Sequence, residues 1–210
     1  MNKSISADFS DKLARTVSVI FHPLLIPVYG LLIIFFAPTI YNYMPYEVKR
    51  LIIFIVLVNN VMLPLSLIPF FIQRKLINSW FMNERKDRVI PLILSTILYG
   101  VTTYIIFRFS VPYFLKSFFI AATFLSLTAT LINFWWKISL HSIGAGALLA
   151  LVFILSLKMY TSLLWYLIPV ILTGGIIISA RLQLNLHNPR QVWAGFLTGL
   201  LGSAIILMIF

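Results

Sequence analysis

Seven stretches of about twenty apolar residues run almost end to end through this chain, at 17–37, 51–73, 89–107, 117–136, 139–157, 162–180 and 191–210. A helix of about that length crosses the hydrocarbon core, because each backbone N–H and C=O must find its partner inside the segment once water is excluded. Seven crossings take roughly 140 residues, two-thirds of a chain of 210. The 61% hydrophobic and 10% charged content departs from the roughly 45–50% and 25% of soluble domains. A soluble globular fold is excluded. The pattern predicts an all-α, polytopic membrane helical bundle with six to seven transmembrane helices.

The range of six to seven rests on the first stretch. Pro23 and Pro27 each remove a backbone hydrogen bond, so this stretch reads as broken or re-entrant. Pro64 and Pro69 predict kinks in the second. Tyr41, Tyr43, Tyr46, Trp80, Trp135 and Trp136 fall between stretches, where aromatic belts sit at headgroup depth. Residues 1–16 form a polar N-terminal segment without the short apolar core of a cleaved signal peptide, and residues 17–210 form one bundle domain. The absence of cysteine excludes disulfides, thiolate metal sites and cysteine nucleophiles.

Sixteen basic residues stand against five acidic ones, giving a net charge of +11. In a membrane protein that excess points to anionic membrane lipids or a phosphate-bearing substrate, not to nucleic acid. With seven crossings, one side carries Lys3, Lys12, Arg15, Arg74, Lys75, Arg85, Lys86, Arg88, Lys137, Arg181 and Arg190. The other carries Lys49, Arg50, Arg108, Lys116 and Lys158. The positive-inside rule puts the richer side in the cytoplasm of a multi-pass protein of the cell (inner) membrane. Setting aside Arg85, Arg88, Lys137 and Arg181 as substrate ligands nearly evens the balance.

Three polar groups share that richer side. Asn83-Glu84-Arg85-Lys86-Asp87-Arg88 precedes the third stretch, Lys137-Ile138-Ser139-Leu140-His141-Ser142 opens the fifth, and Arg181 to Gln191, with His187, leads into the seventh. Each has an ordinary explanation: snorkelling arginines, a serine N-cap, a packed histidine. Their coincidence at the ends of three helices, beside free helix N-termini, predicts a phosphate site. Asn59 and Asn60 inside the second stretch fit either a transport path or helix–helix hydrogen bonds. Gly195-x3-Gly199 with Ser203 offers a small face for internal packing or for a homodimer.

The order and spacing of these groups resemble the type 2 phosphatidic acid phosphatase superfamily, which includes the vanadium haloperoxidases. Its signatures are K-x6-R-P, P-S-G-H and S-R-x5-H-x3-D. Ser139-Leu140-His141 is similar to the second, and Arg181-x5-His187 reproduces the third with its five-residue interval. Gln191-Val192-Trp193-Ala194-Gly195 stands where the family has D-V-x-x-G. The resemblance covers about residues 80–200. It departs at the first signature, where Arg85 and Arg88 are the nearest equivalents with Pro91 displaced. It departs again at Ile138, Leu140 and Ala180, and at Gln191 in place of the aspartate.

The resemblance implies a metal-independent lipid phosphatase that needs no cofactor and acts on a phosphate monoester or pyrophosphate of a lipid. His187 would attack phosphorus to form a phosphohistidine, and His141 would protonate the departing oxygen and later activate water. Arg85, Arg88, Lys137, Ser139 and Arg181 would bind the phosphate, and Gln191 would orient His187. Because an amide cannot stabilise an imidazolium as a carboxylate does, a second reading stays open. In it the chain is a non-catalytic relative that binds or transports a phosphorylated lipid, or a subunit of an envelope membrane complex.

Overall fold

A computed structural model of the chain describes residues 2–79, 82 and 84–209, with side chains from Phe9 onward. Trp80 and Asn83 fall outside the described residues. The described chain is helical with no strand, and seven helical segments are long and apolar enough to cross a membrane. The protein is a multi-pass membrane protein.

The first crossing is broken, as its prolines predict. α1 (Asn2–Ile20) ends before an extended His22, a single 3-10 turn follows at Pro23–Leu25, and α2 (Ile26–Phe36) completes the segment. The segment is not re-entrant. Ser18 meets Arg181 at one end of the bundle, whereas the Phe36 carbonyl accepts from the Tyr166 hydroxyl at 2.9 Å. Tyr166 and Arg181 lie fifteen residues apart on one helix, about 22 Å at 1.5 Å per residue, so the chain passes between the two ends. Lys49 donates to the Phe35 carbonyl at 3.0 Å and the Asn42 carbonyl at 2.7 Å, closing the C-terminus of α2 with the charge its dipole favours.

The second crossing comprises α3 (Tyr46–Val56), a π-helical segment at Leu57–Met62 and α4 (Leu63–Gln73). Pro64 has no N–H to give the preceding turn, and the wider π segment lies immediately before it. In that segment the Asn60 Oδ1 accepts from the Thr102 hydroxyl at 2.7 Å, so the asparagines bind two crossings together. The third and fourth crossings are α5 (Val89–Phe107) and α6 (Tyr113–Asn133). Hydroxyl pairs join them, Thr96 to Ser126 and Thr130 and Thr103 to Thr123, all within 2.9 Å.

α7 (Leu140–Lys158), α8 (Leu164–Gln183) and α9 (Pro189–Ile209) complete the bundle. α7 is the central helix, with Ala150, Leu151, Val152 and Leu155 essentially without exposure. α9 crosses it at backbone distance. A Cβ on Gly195 would stand 2.6 Å from the Ser139 carbonyl oxygen, and Cβ atoms on Gly146 and Gly199 would run into the Phe196 and Ile143 carbonyls. The small face of α9 is therefore occupied inside the bundle. That crossing sets the N-termini of α7 and α9 side by side, and the Ser139 N–H donates to the Gln191 carbonyl at 3.3 Å.

Candidate functional site: a cationic, imidazole-lined cavity

At the end of the bundle where α5, α7 and α9 begin, a cavity of about 910 Å³ opens among the helices. Arg15, His22, Arg88, His141, Arg181 and His187 line its mouth. Leu92, Phe118, Leu125, Leu148 and Leu151 are among the apolar residues of its deeper wall. From His141 to Leu151 along α7 it runs about 15 Å inward. No carboxylate lies in its wall among the described residues.

Arg181 stands at the centre. It is 6% exposed; one terminal N–H donates to the Ser18 hydroxyl at 3.2 Å, and its Nε is buried with no hydrogen-bond partner. A guanidinium has five donors and no way to shed its charge, so an unpaired Nε there calls for an acceptor. Arg88, 8% exposed, donates its Nε to the Met82 carbonyl at 2.8 Å. Neither arginine forms an ion pair among the described residues. Arg181 is within electrostatic reach of His22, His141, His187 and Lys137 alike.

His187 sits in the turn between α8 and α9, reached through Asn185 in the left-handed region at φ 52°, a conformation asparagine tolerates better than most residues. Its Nδ1 lies 3.1 Å from the Gln191 Oε1. That oxygen also accepts the Asn188 backbone N–H at 3.3 Å, while the Asn188 Oδ1 accepts the Gln191 N–H at 2.9 Å. This reciprocal pair is a capping box on α9. Because the amide oxygen must face the Asn188 N–H, the proton between it and His187 belongs to Nδ1, and the Nε2 lone pair is left bare. Burial, then the charges of Arg88 and Arg181, push the His187 imidazole down to about 3, against a smaller opposing effect of the Gln191 hydrogen bond. It is neutral at physiological pH.

The other two imidazoles are held differently. His141, in the first turn of α7, has its Nε2 3.0 Å from the Ser18 carbonyl oxygen, so the proton is on Nε2. His22 lies at the break between α1 and α2. Its Nδ1 accepts the Leu24 N–H at 3.3 Å, so its proton too is on Nε2. The rings of His22 and His141 meet edge to face with centroids 6.0 Å apart.

Of the sequence-predicted residues, Arg88, His141, Arg181 and His187 converge on the cavity, and Gln191 holds His187 from behind. Lys137 is outside the wall, yet its charge acts on His187, and its own ammonium pKa is lowered by burial and by Arg88 and Arg181. Two of the expected residues are not brought to the cavity. Arg85 faces away and binds the Asn133 and Phe134 carbonyls at the C-terminus of α6, while the Asn133 side chain donates back to the Arg85 carbonyl. Ser139 is fully buried as the N-cap of α7, its Oγ accepting from the Ser142 N–H and hydroxyl. Asp87 accepts twice from Asn78, through its backbone and side-chain nitrogens.

Sequence reasoning missed Arg15 and Ser18, which α1 brings to the mouth, and His22, which the break after α1 brings there. The signal was present: His22, immediately before Pro23 in a broken crossing, is an ionisable residue within an apolar stretch. Comparison with protein-family models, curated proteins and solved structures finds no match to this chain. Fold and site together define a membrane helical bundle with a cationic, imidazole-lined mouth above an apolar cavity.

Proposed function

We propose that the protein is an integral-membrane lipid phosphatase of the cell membrane, hydrolysing a phosphate monoester or pyrophosphate of a lipid through a phosphohistidine at His187. The observation that carries this reading is the unpartnered, buried Arg181 Nε beside Arg88, in a mouth without a carboxylate among the described residues that opens into an apolar cavity. An anionic headgroup satisfies the guanidiniums, and its chain fits among the helices.

The bare Nε2 of His187 is the attacking atom, with Gln191 holding the tautomer. Arg88 and Arg181 hold the phosphoryl oxygens, where positioned charge does most of the work of phosphoryl transfer. The free N–H groups of Leu140 and His141 at the start of α7 add partial positive charge. The resemblance gives His141 the proton transfers; with Nε2–H on Ser18, its Nδ1 is the atom able to accept a proton from water. One observation favours the second reading, a non-catalytic binder or carrier of a phosphorylated lipid: Gln191 is fully employed as an uncharged cap. Phosphate release from a panel of lipid phosphates, wild type beside His187→Ala, separates the two. Turnover lost in His187→Ala supports the enzyme; binding by both proteins without turnover supports the carrier.

A further inference from the structure

We infer that the cavity takes an anionic lipid whose chain carries a hydrogen-bonding oxygen about 10–12 Å from its charged group, received by a belt of the Ser95, Tyr99 and Ser203 hydroxyls. This deepens the reading above by naming the ligand's chain. It rests on the anionic headgroup that the enzyme and the carrier share there, and not on turnover.

A hydroxyl at hydrocarbon depth costs free energy unless it is hydrogen-bonded, and the buried serines and threonines of α5–α9 divide by whether they face the cavity. Thr102 donates to the Asn60 Oδ1, Ser117 to the Tyr113 carbonyl, Thr130 to the Ser126 carbonyl and Ser142 to the Ser139 Oγ. None of these lines the cavity. Ser95 and Ser203, 8% and 3% exposed, do line it, and neither hydroxyl has a partner among the described residues. The usual recourse of a helical hydroxyl, the carbonyl four residues back, is used by Ser117 and Thr130 but by neither of these. Tyr99, also 8% exposed, lines the cavity with its hydroxyl equally unpartnered, although a buried tyrosine O–H usually finds an acceptor. Ser126, the other hydroxyl of the deeper wall, is paired with Thr96.

The three unpartnered hydroxyls share one depth. Ser95 follows Arg88 along α5 by about 10 Å at 1.5 Å per residue. On the opposite wall, Gly195 of α9 lies against the Ser139 carbonyl at the start of α7, so Ser203 stands about 12 Å further in. Tyr99 is one turn beyond Ser95 on the same face of α5. Long helical side chains lean toward the helix N-terminus, which for α5 is the mouth, so the Tyr99 ring carries its hydroxyl back toward Ser95.

That depth selects the chain. An extended chain advances about 1.2 Å per bond, so an oxygen about nine bonds from phosphorus reaches the belt. The ester carbonyl of a simple acylglycerol phosphate, about six bonds away, stops near 7 Å. A plain alkyl or prenyl chain offers the hydroxyls nothing. The matching lipid is oxygenated further along its chain, by a hydroxyl that accepts from one member of the belt and donates to another, or by a carbonyl that accepts from two.

The test measures binding by the full chain in nanodiscs, as displacement of radiolabelled dodecylphosphonate, whose P–C bond a phosphatase does not cleave. The competitors are unlabelled dodecylphosphonate, an isomer with a chain hydroxyl about nine bonds from phosphorus, and one with it about four bonds away. The far isomer should bind about tenfold tighter than the plain chain, the scale of one net hydrogen bond. The near isomer should gain nothing. Combining Ser95→Ala, Tyr99→Phe and Ser203→Ala should abolish the tenfold advantage and keep the affinity for the plain chain. A wild type that binds all three alike, or an advantage that survives in the triple variant, overturns the belt. The headgroup reading then still stands if Arg181→Ala loses dodecylphosphonate. If the wild type does not bind dodecylphosphonate, belt and headgroup reading fall together. The comparison of isomers needs no variant, so it decides even where the triple variant does not fold.

Discussion

Replacing Gly195 by alanine should damage the site from a position that touches no substrate. The new Cβ would stand 2.6 Å from the Ser139 carbonyl oxygen and 3.2 Å from the Ser142 Cβ. Restoring ordinary contact parts α7 and α9 by about 0.8 Å, since dispersion gives way to steep repulsion below that separation. Both neighbours belong to the first turn of α7, with no flexible side chain to yield. Overpacking of this kind costs about 1–3 kcal/mol. The same shift loosens the bond from the Ser139 N–H to the Gln191 carbonyl and moves His141 relative to His187. A misplacement near 1 Å can cost about 10²-fold in rate. Gly175→Ala is the control, since a Cβ there meets nothing within 4 Å and alanine is favoured in a helix by up to about 1 kcal/mol. Unfolding in detergent and hydrolysis of a lipid phosphate read the two effects. Wild-type stability and turnover in Gly195→Ala would refute the claim that the α7–α9 crossing sets the site's geometry.

Three further outcomes follow from the same geometry. Gln191→Glu keeps the reach of the side chain and its capping bond to the Asn188 N–H, while placing a carboxylate against His187; turnover should rise by about tenfold, the equivalent of one pKa unit of imidazolium stabilisation, and a fall would mean that the uncharged amide is required. Nitrogen-15 spectra should find His187 as the neutral Nδ1–H tautomer and still unprotonated at pH 5. Its folded pKa, near 3, lies below the usual 6.5, so the unfolded chain takes up a proton that the fold refuses; stability should therefore fall as pH drops from 6.5 toward 3, and a His187 that titrates near 6.5 contradicts this. Chelators should leave activity and anion affinity unchanged, because the cations of the mouth are side chains; a loss restored by Mg²⁺ shows that the site has been misread.

The crossings were legible because about twenty apolar residues in a row have few other uses, and six of the seven stretches lie within a few residues of the helical segments described. The first needed three dimensions. Its prolines announced a break, but only the meeting of Ser18 with Arg181 and of Phe36 with Tyr166 distinguishes a broken crossing from a re-entrant loop. Among the residues lining the cavity, Arg88, His141, Arg181 and His187 were singled out in the sequence by their spacing at helix ends. Arg85 was not separable from Arg88 by sequence, since both precede α5 and only the position of the α6 C-terminus turns one of them away. Ser139 carried equal arguments for cap and cradle, and the structure places it fully buried at the N-cap of α7. His22 stood out as an ionisable residue of a broken crossing, but its partners, Leu24 and the cavity, depend on how the break folds.

The central claim is that the bare Nε2 of His187 takes the phosphoryl group. Incubating the protein with a lipid phosphate radiolabelled in its terminal phosphate, quenching in alkali and mapping the label tests it directly. The account expects an acid-labile, alkali-stable label on His187, absent from His187→Ala. A wild-type protein that releases phosphate without labelling His187, with turnover retained in His187→Ala, would contradict it.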